Sequence, residues 1–192
     1  SVFRSAFIMR PVFEAARSAK RKIVFAEGED ERVLRAAHAM TEETFNRPVL
    51  VGRPEVIRAQ LEREAIPLDI DRDCEIVNPE NDRRYREYWE TYHRVMARRG
   101  VTPDLAKAIL RTNSTAIAAV MVLRNEADSL ICGTFGQYLW HLQYVEQLLG
   151  GDEREATAAL SLMILERGPL FVADTHRSEE RRVGKECPSP CR

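Results

Sequence analysis

Arg32 is the residue whose type and position most clearly suggest chemistry, because it follows directly on a strand-to-helix junction. The run 23–26 (Ile-Val-Phe-Ala) is apolar, Gly28 interrupts it, and acidic residues come next. A guanidinium group there can hold an anionic ligand group, although the first turn of a helix usually favours acidic residues. The alternative is that Arg32 pairs with Glu29 or Asp30 at the surface, since such ion pairs are common and contribute little. The sequence leaves both interpretations open.

A strand that ends at a glycine and passes into a helix is how α/β sheets form ligand clefts, and the sequence contains a second such junction. Residues 128–133 (Asp-Ser-Leu-Ile-Cys-Gly) predict a strand and turn, and 136–149 predict the following helix. In doubly wound sheets these junctions line the crevice at the carboxyl ends of the strands. We therefore expect the turns 27–32 and 133–138 to face one ligand.

The other elements must position these turns, and their pattern alternates between strand and helix. The first helix is expected to bury one face, made of Val33, Leu34, Ala36, Ala37 and Met40. Strands are predicted at 48–52 and 74–77, and helices at 54–64, 82–99, from 103 and from 113, with Thr102 and Asn113 as caps. Helix 82–99 carries a stripe that we interpret as core rather than as a base-stacking surface: Tyr85, Tyr88, Trp89, Tyr92, Val95 and Met96.

The composition limits the classes of function that the chain can have. The chain has 192 residues, 44% hydrophobic and 31% charged, enough for one compact core and the start of a second. Basic residues (29) nearly balance acidic ones (30) and form no stripe, so neither nucleic acid nor a membrane surface is an expected partner. The sequence has no apolar run that approaches the roughly 20 residues needed to span a bilayer, and it has no signal peptide. We therefore expect a cytoplasmic protein.

No motif indicates a metal or redox site. Cys74 and Cys132 lie in apolar, strand-like contexts without paired spacing, which predicts buried free thiols. G-x-G-x-x-G and H-E-x-x-H motifs are absent, so no residue for oxidoreductase catalysis and no metal ligand is predicted. His38, His93 and His141 are interpreted as packed or surface histidines.

The composition changes near the C-terminus. Residues 150–152 (Gly-Gly-Asp) predict a hinge, and 158–165 with 170–173 predict a hairpin that begins a second lobe. From Arg177 onward the sequence loses all apolar periodicity and resembles the translation of a sequencing-library adapter. We therefore expect residues 177–192 to be a non-native tail and the native portion to be truncated at His176.

Several of these segments together resemble the phosphate acetyltransferase family in order and spacing. They are 27–37 (EGEDERVLRAA), 48–52, 100–102, 127–133 and 170–174. Residues 7–13 and 131–134 resemble more closely the phosphotransacetylase-like C-terminal domain of bacterial NADP-dependent malic enzymes. The resemblance spans about residues 9 to 176.

The resemblance implies an α/β fold of three layers, α/β/α, with a mostly parallel sheet of the phosphate acetyltransferase and isopropylmalate dehydrogenase type, truncated in a second domain. Residues 1–8 would end a preceding linker or helix, 9–152 would form the first lobe, and 153–176 would begin the second. Active members transfer acetyl between coenzyme A and phosphate. At positions where they carry arginine, this sequence has Met96 and Gln143, which cannot hold a phosphate dianion.

These departures imply a domain that binds acetyl-CoA as an allosteric effector without transferring the acetyl group. The parent would convert malate to pyruvate, with NADP and a divalent metal bound only in its N-terminal part, and would be a homo-oligomer. The alternatives are an active phosphate acetyltransferase and a structural dimerisation module. The residues expected to face the acyl-CoA are Glu29, Arg32, Gly133, Thr134, Gln137 and Tyr138.

Overall fold

The computed structural model describes residues 2–44, 46–150, 158–165 and 168–173. Its helices are α1 (Val2–Ala19), α2 (Glu31–Thr44), α3 (Pro54–Arg63), α4 (Ile70–Asp73), α5 (Tyr85–Met96), α6 (Pro103–Thr112), α7 (Ser114–Leu123) and α8 (Tyr138–Leu149), with a 3₁₀ turn at Ala97–Arg99. Its strands are β1 (Ile23–Phe25), β2 (Val49–Val51), β3 (Glu75–Val77), β4 (Ser129–Ile131), β5 (Leu160–Leu165) and β6 (Gly168–Ala173).

Four short strands form a parallel sheet in the order β3-β2-β1-β4. Val24 of β1 is paired with Val49 on one side and with Leu130 on the other. The chain thus moves outward from β1 through β2 to β3 and then returns to the opposite side of β1. This reversal creates a topological switch point between the carboxyl ends of β1 and β4, where open α/β sheets bind ligands.

Alternate strand residues pack against helices on opposite faces of the sheet, as the two-residue period of a strand requires. Val24 and Val51 belong to one buried cluster, which they share with residues of α5, α6, α7 and α8. Phe25 and Leu50 belong to a second cluster with residues of α2, α3 and α4. The predicted three-layer α/β/α fold is therefore confirmed.

Local capping defines the helices next to the cleft edge. The Thr102 hydroxyl accepts a hydrogen bond from Leu105 N (3.2 Å), and Asn113 Oδ1 accepts one from Ala116 N (3.0 Å), so both predicted caps are confirmed. α7 is apolar on all sides, and every residue from Thr115 to Met121 is buried. Deep burial of this helix explains why it lacks a polar face.

Two predictions of the buried faces were partly wrong. In α2, Val33, Leu34 and Ala37 are buried, but Ala36 is exposed, because it lies beyond the edge of the contact with the sheet. In α5, Tyr88, Tyr92 and Met96 enter the core as predicted; Val95 is exposed, and Thr91 is buried instead. The stripe on α5 is thus a core face, and it is narrower than its apolar spacing suggested.

The β5–β6 hairpin confirms the antiparallel pair predicted from residues 158–165 and 170–173, with β6 beginning two residues earlier, at Gly168. Backbone contacts divide the chain into one unit of residues 11–150 and another of residues 1–10 and 151–192. Helix α1 continues through residues 8 and 9, where the sequence predicts a boundary. The predicted tail at 177–192, with Cys187 and Cys191, lies outside the described residues.

Within the described ranges, no single helix is both long and apolar enough to cross a bilayer. Helices α6 and α7 are long and apolar enough only if they are counted as one segment, and the chain bends by 109° between them.

Candidate functional site

The two strand-to-helix turns lie side by side at the carboxyl ends of β1 and β4, as the sequence predicted. Ala26 N donates to Ile131 O (2.9 Å), and Gly133 N donates to Glu27 Oε1 (2.9 Å). Arg32 Nη2 also donates to the Thr134 carbonyl oxygen (2.5 Å). Each turn therefore fixes the position of the other.

Arg32 is engaged by a carboxylate of its own turn. Its Nε donates to Asp30 Oδ1 (3.0 Å) and its Nη2 to Asp30 Oδ2 (2.9 Å), which is the bidentate geometry of a strong arginine–carboxylate pair. The same contacts hold the pKa of Asp30 below its usual value. The pairing alternative for Arg32 is thus confirmed, with Asp30 rather than Glu29 as the partner.

Glu29 makes the equivalent pair with Arg53, the residue that precedes α3. Arg53 Nε donates to Glu29 Oε1 (2.9 Å), Nη2 donates to Oε2 (3.0 Å), and the Arg53 backbone N–H donates to Oε1 (2.8 Å). Hydrogen bonding from Arg53 is the main reason that the pKa of Glu29 is lowered. A second arginine at this edge is therefore also paired with a carboxylate.

A cleft of about 320 Å³ opens at the carboxyl ends of β1, β2 and β3. Its lining combines apolar and charged residues: Ala26, Glu27, Glu29, Asp30, Val51, Gly52, Arg53, Pro79, Glu80, Arg111, Thr112, Ser114 and Phe135. The acidic side chains outnumber the arginines, so the lining is negative overall. Of the six residues predicted to face a ligand, Glu29 is in this lining, whereas the other five are not: Arg32, Gly133, Thr134, Gln137 and Tyr138.

Glu27 is buried at the base of the cleft, and its carboxylate lies in a cluster of polar groups with His141 and Thr115. Its Oε1 accepts from Gly133 N, whereas its Oε2 has no hydrogen-bond partner among the described residues. His141 Nδ1 lies 3.7 Å from Glu27 Oε1, hydrogen-bonds the Thr115 hydroxyl (2.8 Å), and has its Nε2 2.7 Å from the Phe135 carbonyl oxygen. Because that carbonyl only accepts, Nε2 carries a proton, and Thr115 can donate to Nδ1.

The remaining predicted residues lie on the β4–α8 turn. Gly133 has a φ of +98°, which explains the glycine at this position. The Thr134 hydroxyl is buried and has no hydrogen-bond partner in the part of the chain that the structure describes. Gln137 is the exposed residue preceding α8, and Tyr138 is the partly exposed first residue of that helix. The structure brings these residues next to the Glu27 turn.

Four residues at this edge were not among the predicted site residues. Glu27 carried a signal, since it begins the turn, and Arg53 follows Gly52 at the end of β2, which repeats the strand–glycine pattern. Arg111, at the end of α6, and His141, inside α8, gave no local signal. Packing between elements distant in sequence brings both of them here.

Met96 and Gln143 do not lie in the cleft. Met96 is buried in the core cluster that contains Tyr92 and Leu110. Gln143 is exposed on α8 and is not in the cleft lining. The placement of Met96 and Gln143 therefore does not support their predicted role in preventing catalysis, whereas the charge pairing of Arg32 and Arg53 does bear on catalysis.

Among the described residues, no group of three histidine, cysteine or acidic side chains is placed to hold a metal ion. Cys74 is a buried free thiol and Cys132 a half-buried one. Burial raises the pKa of Cys74 to about 12 and that of Cys132 to about 11. Both thiols therefore stay protonated and weakly nucleophilic at neutral pH.

Comparison with known families and structures agrees with this fold. Residues 7–180 match the family described as "Phosphate acetyl/butaryl transferase". The chain belongs to this family. A phosphotransacetylase from Streptococcus pyogenes superposes with a TM-score of 0.74 at 25% identity, covering 86% of this chain and 51% of that one.

Among curated relatives of this transferase family domain are two malic enzymes. The chain is 50% identical over 179 residues to an NAD-dependent malic enzyme of Rhizobium meliloti, which covers 92% of this chain and 23% of the relative. It is 39% identical over 180 residues to the NADP-dependent malic enzyme of Escherichia coli, which covers 93% of this chain and 24% of the relative. The chain thus spans about a quarter of the length of these relatives.

Proposed function

We propose that this domain binds acetyl-CoA as an allosteric effector, does not transfer its acetyl group, and belongs to a parent protein that oxidatively decarboxylates malate to pyruvate. The parent is suggested by the two malic enzymes, which this chain matches over most of its own length. One of these relatives is named as NAD-dependent and the other as NADP-dependent. The use of NADP by the parent is therefore also a proposal. The coenzyme and a divalent metal would bind elsewhere in the parent.

The observation that carries the proposal is that carboxylates already pair with Arg32, on the β1–α2 turn, and with Arg53, which precedes α3. Arg32 is held by Asp30 and Arg53 by Glu29, each through two hydrogen bonds. Transfer of an acetyl group to phosphate needs fixed cations to hold the phosphate dianion and to stabilise charge in the transition state. Cations that are already paired stabilise that charge poorly, which favours binding without turnover.

The cleft offers surfaces suited to an acyl-CoA. Ala26, Val51, Pro79 and Phe135 supply apolar contact for the acyl group and methylene chain. Arg111 lies in the lining with its guanidinium 5.4 Å from the centre of the Tyr85 ring, and it has no carboxylate partner within the described residues. We assign Arg111 to the phosphates of the coenzyme.

Regulation requires that acetyl-CoA bind one global state of the parent better than another. The paired turns provide a local basis for such coupling, because the contacts of Glu27 and Arg32 tie the β4–α8 turn to the β1–α2 turn. A ligand that changes one of these contacts would move both turns. The expected homo-oligomer would transmit that change between subunits.

A second candidate function is phosphate acetyltransfer itself. The family match and the superposition on the streptococcal phosphotransacetylase favour it. In that case the phosphate would have to be held by Arg111, or by Arg32 or Arg53 after its carboxylate partner is displaced.

The test is calorimetric titration of acetyl-CoA into the full-length parent, combined with an assay for acetyl phosphate and a measurement of malate oxidation. We expect saturable binding, no acetyl phosphate, and a rate of malate oxidation that changes with acetyl-CoA. Acetyl phosphate formation would establish the transferase instead. Absence of both binding and turnover would leave a structural dimerisation role.

A further inference from the structure

Arg111 differs from Arg53, the other arginine of the cleft lining, in how its side chain is held. Arg53 donates two side-chain hydrogen bonds to Glu29, whereas Arg111 is exposed and has no carboxylate partner among the described residues. The guanidinium carbon of Arg111 instead lies over the Tyr85 ring, 5.4 Å from the ring centre, which is within the range of a cation–π contact. Contact with a ring uses none of the five N–H donors of an arginine, so they stay available to a ligand in the cleft.

The Tyr85 ring is itself fixed in position by two sets of contacts. The side chain is half-buried and packs against the core cluster that contains Tyr88 and Leu110. Its hydroxyl donates to the carbonyl oxygen of Lys107 (2.6 Å), one turn before Arg111 in α6. Tyr85 therefore contacts α6 at two points, through its hydroxyl and through its ring, and the ring has a defined place beside the guanidinium of Arg111.

We propose that Tyr85 is a positioning residue for the anionic part of the effector: its ring orders the Arg111 guanidinium at the cleft, and the ordered guanidinium binds the phosphate groups. An exposed arginine without such a support samples many rotamers, and ordering it when the ligand binds costs conformational entropy. A guanidinium that is already ordered avoids part of this cost, and its N–H donors match the oxygens of a phosphate. The inference rests on the proposed function, in which Arg111 binds the phosphates of acetyl-CoA.

Tyr85→Leu and Tyr85→Phe separate the role of the ring from that of the hydroxyl. Leucine removes both, whereas phenylalanine keeps a ring beside Arg111 and removes only the hydrogen bond to Lys107. In Tyr85→Leu we expect the full-length parent to bind acetyl-CoA about fivefold more weakly, the effect of losing one cation–π contact. In Tyr85→Phe the affinity should stay within about twofold of wild type. Equal losses in the two variants would show that the ring is not what matters, and would overturn the proposal.

Combining Tyr85→Leu with Arg111→Gln tests whether Tyr85 acts through Arg111. We expect Arg111→Gln alone to weaken acetyl-CoA binding at least about tenfold, because it removes a charged partner of the phosphates. In that background Tyr85→Leu should cost less than about a further twofold, since the guanidinium it supports is gone. If Tyr85→Leu still costs its full factor of about five, the role of Tyr85 is only structural and the proposal is overturned.

Trp89→Leu is the matched control. Trp89 lies under Lys107 in the same kind of contact between the same two helices, with Lys107 Nζ 4.8 Å from the ring centre, but neither residue lines the cleft. We expect this variant to change the affinity for acetyl-CoA by less than about twofold, even if the protein becomes less stable. A loss as large as that of Tyr85→Leu would show that packing between α5 and α6, not the position of Arg111, controls binding.

The outcomes separate this inference from the proposed function. If wild type binds acetyl-CoA and Tyr85→Leu binds it equally well, the role of Tyr85 is wrong and the proposed function stands. If wild type does not bind acetyl-CoA, the proposed function is overturned together with the inference.

Discussion

The two ends of the parallel sheet differ in how they treat buried polar groups. At the amino ends, Glu126 accepts from Tyr88 OH (2.7 Å) and Arg124 Nε (2.6 Å), and Arg84 bridges Glu75 and Glu126. At the carboxyl ends, Glu27 Oε2 and the Thr134 hydroxyl are buried without partners among the described residues. At the amino ends, other protein groups hydrogen-bond the charged side chains. At the carboxyl ends, two buried polar atoms have no hydrogen-bond partner among the described residues.

This difference indicates that the two ends of the sheet have different roles. A saturated network of charges fixes the relative positions of strands and helices, and its removal leaves several groups unpaired. Unsatisfied buried groups reduce stability, so each of them marks a place where a function, such as ligand binding, can offset that cost. The comparison therefore predicts that removing charged side chains at the amino ends affects folding and leaves binding unchanged, whereas removing polar side chains at the carboxyl ends affects binding.

Glu126→Ala should produce the largest effect on stability. It removes the acceptor of the Tyr88 hydroxyl and a carboxylate partner of both Arg84 and Arg124. We expect a loss of about 3 kcal/mol in the free energy of unfolding, measured by urea denaturation, with unchanged affinity for acetyl-CoA. Glu126→Gln keeps an acceptor and should cost less than half as much. A loss below about 1 kcal/mol for Glu126→Ala would contradict the structural role assigned to this end.

Gly28→Ala tests how closely the chain after β1 approaches β2 at the floor of the cleft. An added Cβ would lie 2.8 Å from Val51 O and 2.9 Å from Leu50 Cβ, both too close. We expect a loss of about 2 kcal/mol in unfolding free energy, because the β1 and β2 ends must separate. At Gly100, where an added Cβ meets no described atom within 4 Å but φ is +84°, alanine should cost about 1 kcal/mol from the backbone alone. Equal losses at both sites would show that the close approach is unimportant.

His141→Phe should affect both stability and binding, because it keeps a ring but leaves the Thr115 hydroxyl and the Phe135 carbonyl without their hydrogen-bond partner. We expect a loss of about 1.5 kcal/mol in the free energy of unfolding, measured by thermal or urea denaturation. Acetyl-CoA affinity should fall severalfold, since Phe135 lines the cleft. His93→Phe, at a half-buried position of α5, should change neither quantity appreciably. Unaltered affinity in His141→Phe would separate this histidine from the site.

Asp30→Asn should give the smallest change in stability and a gain of function. It removes the carboxylate partner of Arg32 and leaves the contact with the Thr134 carbonyl in place; because the Arg32 side chain is 66% exposed, the thermal midpoint should not move measurably. The released guanidinium should raise the affinity for inorganic phosphate severalfold, measured by calorimetry, with Asp104→Asn as an exposed control of the same charge change. Unchanged phosphate affinity would contradict the view that carboxylate pairing is what disables the arginines.

The sequence predicted what depends on neighbouring residues. The strand–glycine–helix pattern located both turns, and the caps at Thr102 and Asn113 followed from their hydrogen-bonding side chains. The resemblance to the transferase family then supplied the sheet type. The short helix α4 was missed because four residues carry no periodicity.

The chemistry of the site was less predictable, because it depends on contacts between distant residues. Glu29 pairs with Arg53, 24 positions away, and Glu27 accepts from Gly133, 106 positions away. His141 contacts Thr115 across 26 positions. Spacing along the chain does not reveal whether an arginine will be paired or a carboxyl oxygen left without a donor, and these are the features that support the proposed function.

Hydrogen–deuterium exchange of the full-length parent, with and without acetyl-CoA, tests the central claim most directly. Ligand at the carboxyl ends should slow exchange of the amides in turns 27–32 and 133–138, and leave the amides around Glu75 and Glu126 unchanged. Protection confined to the amino ends, or no protection in the turns at a saturating concentration of acetyl-CoA, would contradict the assignment of this cleft as the effector site.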